Sequence, residues 1–194
     1  MTKVLLTGFE PFGTATSNPS GEIVKQISGD NIVTAILPVA YTQSAERLLA
    51  LIAEHNPDVV ICLGQAEGRT QITPEKIAIN LDDARLADNE GVLRNDVKIL
   101  ESGPDAYFST LPVNEIVEAI KAKGVPAAVS LSAGAFLCNH VFYVAQNKFA
   151  GTKVRSGFVH VPLMDSQAPE FPGLPTMPLD QMVIAVRAML EIVF

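Results

Sequence analysis

The chain has 194 residues, of which 48% are hydrophobic and 18% charged. That is enough apolar material to bury one substantial core and too much for a disordered protein, so residues 1–194 read as a single compact domain. A formal charge of −7, with 21 acidic against 14 basic residues and no basic cluster, leaves no track for phosphates and excludes nucleic acid as an expected partner.

The first predicted element is a short apolar strand, Val4–Thr7, and the segment around it has too few apolar residues for the core of a signal peptide. A helical pattern follows at Pro19–Ile27, then a strand at Ile32–Leu37. A second helix is predicted over Thr42–His55, where Ala45, Leu48, Leu49 and Ile52 recur at offsets of three and four. The run Val59–Leu63 is apolar throughout and reads as a strand buried on both faces. Gly64–Tyr107 is long, polar and without helical periodicity, broken by a short strand at Lys76–Asn80, and such a stretch suggests an active-site surface. Next come a helix at Val113–Lys123, a strand at Ala127–Leu131, a helical pattern at Val141–Phe149 and a strand at Phe158–Val161. The Pro-rich segment Pro162–Pro178 reads as a surface loop, and Leu179–Ile192 as the last helix, with Asp180 favouring its N-terminus. Strands alternating with helices imply a mainly parallel or mixed sheet covered on both faces, with functional groups at the carboxyl ends of its strands. No apolar run approaches the roughly 18 residues that a bilayer span requires, so no membrane is expected. Without an export signal, the expected location is cytoplasmic and the expected state of Cys62 and Cys138 is free thiol.

Cys138 lies where small residues, Ser132 to Ala135, lead from a strand into a helix. There a thiol would meet the positive end of the helix, which lowers its pKa, and backbone N–H groups that suit an oxyanion. The competing interpretation is a small buried hydrophobe. Cys62, inside Val59–Leu63, reads as that inert kind. His55 ends a helix, and His140 is rotated by about 200° from Cys138 on a helix, so neither suits a partner base. His160, near the end of a strand, suits one better. A third group would fix its tautomer, and Glu75, Asp82, Asp83 and Asp88 all remain open, some of them as partners of Arg69 and Arg85. Two cysteines and three histidines without zinc-ligand spacing give no metal site. Thr7–Gly13 could be read as a phosphate loop, but it lacks the glycine spacing of one and carries Phe9 and Phe12.

Four blocks, Thr7–Gly13 with Asn18-Pro19-Ser20, Leu63–Asn80, Asp83-Ala84-Arg85 with Asp88-Asn89-Glu90-Gly91, and Ala133–Phe142, together resemble the pyrrolidone carboxyl peptidases, also called pyroglutamyl peptidase type I, over almost the whole chain. The resemblance implies an α/β/α sandwich and a cofactor-free cysteine peptidase that removes N-terminal pyroglutamate from peptides. It further implies Cys138 as nucleophile, His160 as base, Glu75 as the orienting carboxylate and Arg85 as an oxyanion donor. Phe9 and Phe12 are implied as walls of the pyroglutamyl pocket, the backbone around Gln65 as the segment that recognises the lactam, and a homo-oligomer, often a tetramer, as the assembly. Glu67, where the family usually has glycine, and Lys76, where it has arginine, depart from the pattern. Glu67 encourages the alternative of a catalytically silent binding protein with the same fold.

Overall fold

The computed structural model describes residues 1–194. The chain runs β1 (Val4–Phe9), α1 (Pro19–Lys25), β2 (Ile32–Leu37), α2 (Tyr41–His55) and β3 (Val59–Gln65). It continues through β4 (Thr73–Pro74), β5 (Ile77–Ile79), β6 (Ala106–Phe108), α3 (Val113–Ala122) and α4 (Leu137–Phe149). It ends with β7 (Arg155–Val161), β8 (Leu163–Met164), a 3₁₀ turn over Asp165–Gln167, β9 (Thr176–Met177) and α5 (Leu179–Val193).

The central sheet has the order β2-β1-β3-β7-β4, parallel except for β4, which runs against β7. Side chains on a strand alternate between faces, and the core divides accordingly. Val4, Leu6, Val59, Ile61 and Val159 face one apolar cluster that includes residues of α1, α3 and α5. Leu5, Val60, Cys62 and Phe158 face the other, with residues of α2 and α4. The result is the three-layer α/β/α sandwich expected from the alternating pattern. None of the helices is long and apolar enough to cross a membrane.

Three expectations are modified. The segment 127–131 is not a continuous strand but touches 72–75 in two parallel bridges, Ile72 with Ala127 and Glu75 with Ser130. Ile72 N–H donates to Pro126 O, Ala128 N–H to Ile72 O, Ser130 N–H to Pro74 O and Lys76 N–H to Ser130 O. One rung is missing from this parallel ladder, at Pro74, which has no N–H to give. The helix expected at Val141 begins four residues earlier, so Cys138 lies in its first turn. Finally, Pro162–Pro178 is not only surface loop: β8 and β9 pair within it, and Gln167 is fully buried.

Candidate active site

The parallel strands β1, β3 and β7 end on one edge of the sheet, and the N-terminus of α4 opens onto the same edge. Between them lies a cavity of about 310 Å³, lined among others by Phe9, Phe12, Gln65, Phe136, Cys138 and His160. The approach to Cys138 depends on Gly64, at the end of β3. A Cβ there would stand 2.8 Å from Cys138 Sγ and 2.6 Å from Phe158 Cζ, so any side chain would displace the thiol or the ring.

Because β4 is antiparallel to β7, Thr73 sits opposite His160, and Glu75, just beyond, donates its backbone N–H to Phe158 O at 2.9 Å. Its carboxylate is fully buried and Oε1 lies 2.7 Å from His160 Nδ1. Of the four carboxylates left open by the sequence, this is the one beside His160. Arg69 Nη1 meets the same Oε1 at 2.7 Å and also bonds Thr73 Oγ1, while its Nη2 donates to Ser132 O at 3.0 Å. The other carboxylate oxygen, Oε2, is buried without a partner. Facing the Arg69 guanidinium and His160 Nδ1, Oε1 is the acceptor for both, which puts the imidazole Nδ1–H toward Glu75 and leaves Nε2 as the other ring nitrogen. Burial, the largest influence, lowers the pKa of His160 below its ordinary 6.5; Glu75 opposes this, so the ring is neutral at pH 7.

Cys138 behaves differently from expectation. Burial first, then the neighbouring Glu75 carboxylate, push its thiol up to about 12, against the opposing pull of Arg69 and of the Cys138 backbone N–H. Desolvation outweighs the helix terminus, so the thiol and the imidazole that line the cavity are both neutral.

The remaining predicted residues separate. Phe9 is buried against Phe158, with ring centroids 6.5 Å apart, and Phe12 packs on Phe136 at 6.2 Å, so both form apolar wall. Arg85 is the residue that the resemblance implies as an oxyanion donor. It lies on an exposed loop and is not among the residues lining the cavity, although Asp83 N–H bonds Ala135 O at 2.8 Å and holds that loop to the rim. The guanidinium that does line the cavity is Arg69, drawn inward by the buried charge of Glu75. Asp82 is also fully buried, but serves the far side of α4. There it bonds His140 Nδ1 at 2.9 Å and Arg94 Nη1 at 2.7 Å. Asp88 caps Tyr41 N–H and the loop N–H groups of Glu90 and Val92.

Sequence reasoning missed two supports. Asn139, directly after Cys138, accepts Ile79 N–H and donates to Ile79 O and Leu81 O, each at 2.9 Å, which fastens the first turn of α4 to β5. Only its position after Cys138 hinted at this. Gln167 reaches Gln65 from a segment with no periodicity to reveal it.

A sequence model of the pyroglutamyl peptidase family matches residues 2–194. The chain belongs to this family. It is 46% identical to the pyrrolidone-carboxylate peptidase of Aliivibrio fischeri, over 98% of this chain and 94% of the relative. Identity to the pyrrolidone-carboxylate peptidase of Bacillus cytotoxicus is 42%, over 99% and 93%. In structure it is similar to the pyroglutamyl peptidase I of Bacillus amyloliquefaciens, with a TM-score of 0.95 at 42% identity, covering 99% of this chain and 96% of that one. A mutant pyrrolidone carboxyl peptidase of the hyperthermophile Pyrococcus furiosus superposes with a TM-score of 0.91 at 38% identity, covering 98% and 97%. Against this family background, the cavity at the strand ends is the candidate active site.

Proposed function

We propose that the chain is a cysteine peptidase that hydrolyses the bond after an N-terminal pyroglutamyl residue and releases pyroglutamate. The observation that carries this reading is the shared cavity: Cys138 and a Glu75-oriented His160 open onto the same apolar space as Phe9 and Phe12. A neutral lactam suits such a space, whereas a free N-terminal ammonium would have to give up its hydration against apolar walls.

In this mechanism His160 Nε2 takes the thiol proton as Cys138 Sγ attacks the pyroglutamyl carbonyl, forming a C–S bond and a tetrahedral oxyanion. The first-turn N–H groups of α4 have no intrahelical acceptor and are the donors for that oxyanion. As the C–N bond breaks, the imidazolium returns its proton to the departing amine. Water, deprotonated by the same ring, then attacks the thioester, and release of pyroglutamate restores the thiol. Glu75 exchanges no proton; it stabilises the imidazolium and fixes its tautomer.

The test is release of a fluorophore from a pyroglutamyl amide, with an N-terminal glutamine amide as control. Turnover of the first alone, abolished by Cys138→Ala, supports the reading; no turnover supports a silent binding protein. Glu75→Gln should lower kcat less than Cys138→Ala or loss of His160, because it removes orientation and leaves the reacting groups in place. Full activity in that variant removes Glu75 from the site.

We also place the enzyme in the cytoplasm, since both thiols are free, a state that a reducing compartment maintains. A homo-oligomer fits the exposure of large apolar side chains, Leu131 at 72% and Phe108 at 68%. Light scattering that returns a monomer overturns that assembly.

A further inference from the structure

Gln65 ends β3 with its side chain on the cavity, and a second glutamine decides which end of its amide faces inward. Gln167, the last residue of the 3₁₀ turn after β8, is fully buried. Its Oε1 accepts the backbone N–H of Met164 at 3.0 Å, and its Nε2 donates to the backbone carbonyl of Ser17 at 3.1 Å. Backbone groups cannot exchange donor for acceptor, so these two bonds fix the orientation of the Gln167 amide without reference to any side chain. The same Nε2 donates to Gln65 Oε1 at 3.0 Å. Gln65 must therefore accept on that side. Its Nε2 is left on the other, where its protein contact is a long 3.4 Å bond to Glu67 Oε1 at the cavity rim. Were Gln65 flipped, two buried NH₂ groups would face one another with no acceptor between them.

We propose that Gln167 is a positioning residue for substrate selectivity, which holds the Gln65 amide so that the cavity presents a neutral N–H donor to the lactam carbonyl. The inference rests on the pyroglutamyl reading and deepens it. Ser17 and Met164, from opposite ends of the chain, set Gln167; Gln167 sets Gln65; and Gln65 meets the ligand. A donor without formal charge matches a carbonyl oxygen and, unlike the Glu67 carboxylate at the rim, gives an ammonium no acceptor. The weak bond to Glu67 is the one that a lactam carbonyl would replace.

The experiment compares wild type, Gln65→Leu, Gln167→Leu and the double variant. The measurements are KM and kcat on a pyroglutamyl amide, and the Kd of 2-pyrrolidone read as protection of Cys138 from iodoacetamide. Each single variant is expected to raise KM and the 2-pyrrolidone Kd by about five- to tenfold, the worth of one buried hydrogen bond. The unprotected alkylation rate should stay at the wild-type value. The double variant should be no worse than Gln65→Leu, because Gln167 acts through Gln65; a merely structural role predicts additive losses and overturns the proposal. Gln167→Leu also removes the Ser17 and Met164 bonds and could fail to fold. Gln167→Glu keeps an acceptor for Met164 while removing the donor to Gln65, and it should weaken 2-pyrrolidone to the same extent. Gln65→Leu leaves Gln167 in place, and an unchanged 2-pyrrolidone Kd in that variant overturns the proposal. A wild type that binds 2-pyrrolidone but cleaves no pyroglutamyl amide removes the peptidase reading and leaves the binding result to decide this one.

Discussion

At the scale of single residues, the two cysteines differ in access rather than in intrinsic acidity. Burial raises both thiols, Cys62 to about 11 and Cys138 to about 12, yet only Cys138 opens onto the cavity. Iodoacetamide should therefore modify Cys138 alone in the folded protein, and its rate should climb with pH through pH 9 without a plateau near neutrality. A plateau between pH 5 and 7 would show a preformed thiolate–imidazolium pair and contradict the neutral resting state. Glu67 supports a second expectation. Its carboxylate is exposed on the rim without a cation of its own, while the charge of Arg69 is taken up by Glu75. Pyroglutamyl peptides with Arg or Lys after the lactam should be cleaved about two- to fivefold better than those with Glu, an effect weakened by salt and absent in Glu67→Gln. Equal kcat/KM values for the two peptides would refute it. Sequence alone marked Cys138 and His160 by their places at element ends, but could not choose among four carboxylates. That choice depends on which side of β7 the short β4 pairs with, and a two-residue strand containing proline carries almost no periodic signal.

Among the elements, β3 and α4 meet at the thiol, where Gly64 leaves room for Sγ. Gly64→Ala should lower kcat/KM by about a hundredfold, since a misplacement of about 1 Å is enough to spoil attack geometry. Its melting temperature should change less than that of a core truncation such as Leu63→Ala. If Gly64→Ala keeps wild-type activity, the close packing of Sγ on β3 is not needed for turnover. The main strands and helices were legible because their apolar spacing is strong: α2 was predicted from Thr42 and begins at Tyr41, and both the prediction and the structure end it at His55. What escaped were features made by pairing at a distance. The missing rung at Pro74 splits the Ala127–Leu131 ladder, and the burial of Gln167 follows from contacts with Ser17 and Gln65, far away in sequence.

For the molecule as a whole, the same burial that tunes the site links its stability to pH. The folded His160 has a lowered pKa, so below about 6.5 the unfolded chain binds a proton that the folded chain refuses. Stability should then fall as the pH drops from 6.5 toward the folded value, and be unaffected by this group above 6.5. The two thiols act at the other end. Raised from 9.0, they remain protonated in the folded state while the unfolded thiols ionise, so stability is lost as pH rises above about 9. Melting temperatures measured from pH 5 to pH 10 should peak between these limits, with a shallower acid slope in His160→Asn. An identical acid slope in that variant would remove His160 as its source.

The strand order carries a consequence for synthesis. β7 lies between β3 and β4 in the sheet, but it is made after both, and after α4. A chain emerging from the ribosome holds β2, β1 and β3 with one edge of β3 unpaired for the ninety residues or so, roughly, that precede β7, and such an edge invites association with other chains. At the end of that interval, Cys138 is made 22 residues before His160, and until then Glu75 has no imidazole to orient. The peptidase therefore cannot act on nearby nascent peptides before its own central strand has been inserted, and the step that closes the sheet is also the step that arms the thiol.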